Sequence, residues 1–237
     1  MASSHGPDNA AVQSYFDYVA EGWSAHYGPN GAMVGRIARF LDAVPGPVRP
    51  DLRVLDFGCG SGELACAMAA KGWGVIGCDI SRKMLQIAKG APGGDDVDWL
   101  PVETAGNLPF GSGVFDLVTA SSVFEYISAP EASLAELRRV LIPGGLLLLT
   151  VPDMRHPVRL AEERRRHSLI GRLKRGLSQF VQGGADTDYW NYSVQRHMPG
   201  EWHAMLCAVG FVSIRVASCD DPLLLLAGRT AESGDMS

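Results

Sequence analysis

Residues 54–64 read VLDFGCGSGEL. An apolar run ends in an acid, Asp56, and three glycines follow at alternate positions, Gly58, Gly60 and Gly62. Glycine accepts positive φ and lets the backbone approach a ligand closely, so the stretch predicts a strand followed by a tight, ligand-binding turn. If a helix begins immediately after it, unpaired N–H groups and a partial positive charge favour an anionic group there. Two phosphate readings fail on single residues. The dinucleotide pattern G-x-G-x-x-G needs glycine at position 63, where this chain has Glu63, whose charge would repel a pyrophosphate. The nucleoside-triphosphate loop needs a Gly-Lys-Ser/Thr that does not follow.

Outward from this stretch, short apolar runs alternate with helical ones. LRVLDF, VIGCD, VDWLPV, VFDLVTA and GGLLLLTV read as strands. Between them, Glu63 to Lys71 reads as a helix ended by Gly72, SRKMLQIAK as a helix capped by Ser81, and PEASLAELRRVL as a helix with proline near its start. Near-continuous apolar strands in a βαβα series predict a parallel sheet covered on both faces. Pro199 to Ala208 reads as a further helix with Gly210 past its end. FVSIRVA and PLLLLAG close the chain, too near one another for a helical crossover. They predict a hairpin in which the last strand is antiparallel to one neighbour. Upstream, AAVQSYFDYVAEGW and Met33 to Ala43 read as helices, the second from Val34, Ile37, Ala38 and Leu41 at three- and four-residue spacing.

The chain has 237 residues, 46% of them hydrophobic and 20% charged, which suits one globular domain with appended segments. Its net charge of −5 gives no general attraction to nucleic acid or anionic membrane. Five cysteines without a C-x-x-C pair indicate neither a disulfide framework nor a zinc site, and no metal is expected; reduced thiols fit a cytoplasmic protein. The start, MASSHGPDNAAVQ, lacks the basic and apolar regions of a signal peptide, and runs such as Leu146 to Leu149 are too short to span a bilayer.

A second acid, Asp79, ends the next strand, where an acid is placed to bind ribose hydroxyls. Asp56 in the first strand could accept a hydrogen bond from an amine. A ribose, an amine and a carboxylate without a pyrophosphate are the features of S-adenosylmethionine. The alternative is that both acids merely cap helices.

With these residues, the sequence resembles the class I S-adenosylmethionine-dependent methyltransferases, small-molecule type. VLDFGCGSGEL, VIGCDISRKMLQIA, VETAGNLPFGSGVFDLVTASSVFEYI and LRRVLIPGGLLLLTVP carry the resemblance, in family order, over about residues 52–152. It implies an α/β, doubly wound, Rossmann-like seven-stranded sheet, mostly parallel, with an antiparallel C-terminal hairpin. It also implies roles by position. Gly58, Gly60 and Gly62 form the loop beneath the methionine moiety, with Asp56 near its amine and Ser121 nearby. Asp79 binds the ribose, with Ile80 against the adenine. Met84 packs on the adenine or simply fills core. Glu103 and Thr104 stand where the family has an acid followed by alanine at the adenine edge. Tyr27 and Arg36, with Trp23, resemble N-terminal residues that cover the cofactor in some members; ordinary helix packing is the alternative. The product would be S-adenosylhomocysteine.

Proton-handling candidates lie on the edge above the cofactor. Glu125 and Tyr126 follow the fourth strand, where relatives acting on ubiquinone precursors have Glu-His. His156 is the first histidine candidate and His197 the second. No Asn/Asp-Pro-Pro-Tyr follows the fourth strand, which argues against nucleobase and glutamine amines as acceptors.

The expected organisation is an N-terminal helical cap at 1–50 and a methyltransferase domain at 51–237 with a basic helical insertion at about 153–198. Residues 153–179 hold eight basic residues against three acids. That is either a solvated helix face or a lid recruiting an anionic acceptor, a carrier protein or a membrane surface. The expected activity is methyl transfer to a hydroxyl or carboxyl oxygen of a small biosynthetic molecule, by a monomer or homodimer. N-methylation, a non-catalytic S-adenosylmethionine-binding protein and, disfavoured by Gly62 and Glu63, an NAD-dependent oxidoreductase are the alternatives.

Overall fold

The computed structural model describes residues 7–27, 32–45, 51–168, 191–218 and 222–232. Seven strands form one sheet: β1 (Arg53–Phe57), β2 (Gly74–Asp79), β3 (Val97–Pro101), β4 (Phe115–Ser121), β5 (Leu141–Pro152), β6 (Phe211–Ser218) and β7 (Leu223–Thr230). Their order is β3-β2-β1-β4-β5-β7-β6. The first five pair in parallel, and β7 runs antiparallel to both β5 and β6. The hairpin is as the sequence predicts, with one refinement. Because β7 inserts between β5 and β6, it has two antiparallel neighbours rather than one.

The strands bury alternate residues on opposite faces. Leu55, Phe57, Val118, Ala120, Leu147 and Leu149 face one core with Leu134, Leu137, Trp202 and Leu206 from helices α5 (Pro130–Val140) and α7 (Pro199–Ala208). Val54, Val75, Leu117, Leu146 and Leu148 face the other, with Leu64 and Met68 of α3 (Glu63–Ala69). Phe40 of α2 (Ala32–Ala43) is 1% exposed in that second core, so this N-terminal helix packs as part of the sheet's cover. Helix α4 (Arg82–Gly90) opens on Ser81, whose Oγ accepts from Met84 N at 3.1 Å, as its position predicts. Helix α1 (Asn9–Tyr27) crosses to α4, where Asp17 accepts from Ser81 Oγ at 2.6 Å.

Of the basic stretch, helix α6 (Pro157–His167) is described and buries no residue; Arg172, Lys174 and Arg175 lie outside the described residues. No helix among the described residues is long and apolar enough to cross a membrane.

Strand order reverses between β1 and β4, and the helices that follow them, α3 and α5, cover opposite faces, which sets a crevice at the C-terminal edge of the sheet. The glycine turn makes its two sharpest demands at this point. Gly58 has φ +68, and a Cβ on it would lie 2.4 Å from Val123 Cγ2, so the loops after β1 and β4 touch. Gly62 has φ +88, and its Cβ would strike the Trp99 ring at 2.6 Å and Ala88 Cβ at 2.8 Å. Gly72 has φ +83 but open space around it. Gly62→Ala should therefore lose about 2–4 kcal/mol from left-handed strain and overpacking together, and Gly72→Ala about 1 kcal/mol from strain alone. Urea unfolding of both variants checks the difference; equal losses would contradict the packing role given to Gly62.

Candidate active site

The crevice is a cavity of about 360 Å³, within the size range of small-molecule sites. Its floor comes from the sheet edge and its loops: Asp56, Gly58, Gly60, Asp79, Ser121 and Ser122. Its roof comes from the N-terminal helices, with Tyr15, Phe16 and Trp23 on α1 and Met33 and Arg36 on α2. The remaining wall includes Glu125 and Tyr126 from the loop after β4 and Arg159 and Glu162 from α6.

Asp79 organises the floor. Its Oδ2 accepts from Gly60 N at 2.9 Å and its Oδ1 from Ser81 N at 2.8 Å. Burial raises its pKa, and the backbone donors at Ser81, Gly60 and Ile80 oppose the rise. Gly60 has φ +54 and open space where a side chain would stand, so the turn exposes backbone to the cavity. Glu63 folds back, both oxygens accepting from Ser61 Oγ at 2.7 and 2.8 Å.

Asp56 is 1% exposed, and Thr119 Oγ1 donates to its Oδ1 at 2.7 Å. Its pKa is pushed up to about 7, by burial first; the Thr119 hydrogen bond opposes the rise and the charges of Asp79 and Glu63 add to it. Its other oxygen, Oδ2, is buried and has no hydrogen-bond partner among the described residues. The same holds for Ser121 Oγ and Arg36 Nε, and all three residues line this cavity. Buried polar atoms are normally satisfied. An acid oxygen, a hydroxyl and a guanidinium Nε without partners among the described residues, on three residues that line one cavity, are complementary to a group bearing both a cation and an anion.

The roof is aromatic. Phe16 meets Tyr126 edge-to-face at 4.9 Å and Trp23 at 5.9 Å, and Tyr15 lies 5.1 Å from Tyr192. Behind it, Glu125 is 3% exposed and accepts from Ser193 Oγ at 2.7 Å, while its carbonyl accepts from Val194 N and Gln195 N. Arg196 reaches Ser193 and pairs with Glu162 and Glu163 at 3.5 Å. The Cys59 thiol lines the cavity, and burial and the two acids push its pKa up, which suits a packing thiol rather than a nucleophile.

Most of the residues singled out in the sequence meet here: Arg36, Asp56, Gly58, Gly60, Asp79, Ile80, Met84, Thr104, Ser121, Glu125 and Tyr126 all line the cavity. Others stand elsewhere. Gly62 packs beneath the loop on Trp99. Glu103 is exposed, and its contact with the region is a carbonyl accepting from Asn9 Nδ2 at 3.2 Å. His156 is not among the lining residues; its ring caps α6, Nδ1 accepting from Val158 N at 3.3 Å. His197 is likewise outside, edge-on to Trp202 at 5.1 Å and bonded to Gln195 at 2.7 Å. The side chain of Tyr27 lies outside what is described.

The sequence reading missed Tyr15, Phe16, Ser122, Arg159 and Glu162. For α1 a signal existed: Val12, Phe16 and Trp23 share one helical face. No group of three or more His, Cys, Asp or Glu that could hold a metal occurs among the described residues.

Residues 55–149 match the family described as "Methyltransferase domain". A demethylmenaquinone methyltransferase of Clavibacter sepedonicus is 32% identical over 170 residues, which cover 68% of this chain and 66% of that protein. One from Streptomyces avermitilis is 32% identical over 154 residues, 62% of this chain and 61% of that protein. A ubiquinone biosynthesis O-methyltransferase of Caulobacter sp. is 35% identical over 100 residues, 41% and 40% of the two chains. The match thus spans less than two thirds of these curated relatives. Among solved structures, Haemonchus contortus phosphoethanolamine N-methyltransferase 2 superposes with a TM-score of 0.67 at 18% identity, over 91% of this chain and 57% of that one. A SAM-dependent methyltransferase of Thermotoga maritima gives 0.62 at 18%, over 92% and 99%. At such identities the likeness is one of fold.

The raised pKa of Asp56 sets a sign for stability. Its folded value is about 7 against an ordinary 3.8, so between those values the folded chain holds a proton that the unfolded chain has released. Stability of the ligand-free protein should therefore fall as pH rises from about 4 to about 7, by about 4 kcal/mol over the full span. Asp56→Asn should lack that part of the slope. Urea midpoints measured from pH 4.5 to 8 check this, and identical profiles for the two proteins would contradict it.

Proposed function

Because the chain belongs to the class I S-adenosylmethionine-dependent methyltransferases, we propose that it transfers a methyl group to a small-molecule acceptor, at a hydroxyl or carboxyl oxygen. The observation that carries this is the cluster of open polar atoms, Asp56 Oδ2, Ser121 Oγ and Arg36 Nε, in the cavity that also holds Asp79. The residues fit the cofactor. Asp56 and Ser121 match its ammonium, Arg36 its carboxylate and Asp79 its ribose, with Ile80, Met84 and Thr104 on the side where an adenine would follow. When bound, S-adenosylmethionine supplies an electrophilic methyl group on a sulfonium.

The chain's own part is to seat, orient and dry the site. Phe16, Trp23 and Tyr126 close the cavity with apolar surface, which keeps water from competing with the acceptor. Of the four proton-handling candidates, Glu125 and Tyr126 line the cavity, and Glu125 is the carboxylate we assign to take the acceptor proton. Arg159 and Glu162 offer the acceptor a charged wall; Arg159 is held by Glu162 at 2.9 Å and by the Pro222 carbonyl at 3.2 Å. The relatives that carry quinone-biosynthesis names support a small acceptor of that general kind. The free thiols support a cytoplasmic setting, and the helices at 1–50 and the basic segment after β5 are the parts that would read the acceptor.

Two variants test this. Asp79→Ala should weaken S-adenosylhomocysteine binding about 10- to 100-fold, the worth of one or two charge-assisted hydrogen bonds, by titration calorimetry. Unchanged affinity would remove the ribose assignment, and binding of NAD in place of S-adenosylhomocysteine would remove the function. Glu125→Gln keeps an acceptor for Ser193 and loses the base, so kcat with an acceptor found by labelled-methyl screening should drop about 100-fold or more while cofactor affinity holds. Wild-type turnover in this variant would reject Glu125 as the base. A protein that binds the cofactor and methylates nothing in the screen would instead match the non-catalytic alternative.

A further inference from the structure

Ser122 is one of two non-glycine residues with positive φ among those described, at φ +57. Left-handed backbone on a residue other than glycine persists only where its surroundings hold it, and it concentrates at functional sites. Here the holding group is Thr150 on β5, 2% exposed, whose Oγ1 accepts from Ser122 N at 3.0 Å and lies 3.5 Å from Ser122 Oγ. The turn at Ser122 places its hydroxyl in the cavity, where Arg36 Nη1 donates to it at 3.3 Å. Arg36 comes from α2, 86 residues away in sequence. One helical turn beyond it, Phe40 anchors α2 in the core.

We propose that Ser122 is a positioning residue that, braced by Thr150, fixes the Arg36 guanidinium so that its remaining donors receive a ligand carboxylate. A guanidinium grips a carboxylate best through two adjacent N–H groups of its planar fork. With Nη1 held by Ser122, the fork cannot rotate freely, and Nε, buried and without a partner among the described residues, is a donor left for a ligand to use. Asp56 and Ser121, open in the same cavity, take the cationic end. Ser122 thereby sets the spacing between the two ends of an α-amino-acid group and selects ligands that carry one. This rests on the cofactor reading given above.

The test compares S-adenosylhomocysteine with its decarboxylated counterpart, which keeps the adenosine, sulfur and amine and lacks the carboxylate. Calorimetry on wild-type protein should show S-adenosylhomocysteine binding the tighter. Ser122→Ala should weaken S-adenosylhomocysteine about tenfold and leave the decarboxylated ligand within about twofold, a difference that general damage would not produce. In an Arg36→Gln background, Ser122→Ala should have no further effect, since the two act through one contact. Thr150→Val, close in shape and lacking the acceptor, should repeat the carboxylate-selective loss and serves if Ser122→Ala folds poorly. Equal losses on both ligands, additive effects in the double variant, or wild-type protein that does not distinguish the ligands would each overturn the clamp while leaving the cofactor reading standing. Wild-type protein that binds neither ligand would overturn both.

Discussion

Backbone N–H groups from two separate turns converge on the carboxylate of Asp79, and much of the site depends on that convergence. Gly60 donates from the turn after β1, and Ser81 donates from the cap of α4. A carboxylate held at 8% exposure is unfavourable unless its oxygens are satisfied, and these two donors satisfy one lone pair on each. The acid thus ties the turn after β1 to the helix after β2. Ser81 extends the tie to Asp17 on α1, so floor and roof share one chain of hydrogen bonds.

The sheet was legible because burial on both faces imposes a pattern that composition alone displays. Leu146 to Leu149 are apolar without interruption because their side chains alternate between two cores. Helix ends were legible for the same local reason: Ser81 caps, Pro130 begins α5, and Gly72 and Gly210 follow their helices at positive φ. Asp56 and Asp79 were legible because an acid at the end of an apolar strand is costly to bury unless partners satisfy it.

What stayed hidden depends on contacts between distant segments. Nothing local separates Gly60, which faces open space, from Gly62, which fits beneath Trp99, since both have positive φ. His156 and His197 look like bases in the sequence, but neither lines the cavity: one caps α6 and the other stands edge-on to Trp202. Glu125 reads as an acid near the chemistry, while its role in holding Ser193, Val194 and Gln195 spans 68 residues and more. The left-handed turn at Ser122 has no sequence signature, because the side chain that holds it, Thr150, lies 28 residues away on another strand.

The bonds from Glu125 to residues 193–195 also bear on how such a protein can diversify. The chain leaves the cavity rim on α6, where Arg159 and Glu162 line the wall, and returns to the rim where Ser193 meets Glu125. Both ends of the intervening stretch are thus stapled to the same small region, and lengthening a segment whose ends are already fixed changes closure entropy only slowly. Arg159 and Glu162 on one side and Ser193 on the other therefore meet any change of length before the floor built on Asp79 does. The length between the two ties can thus change while the cavity wall keeps both of them.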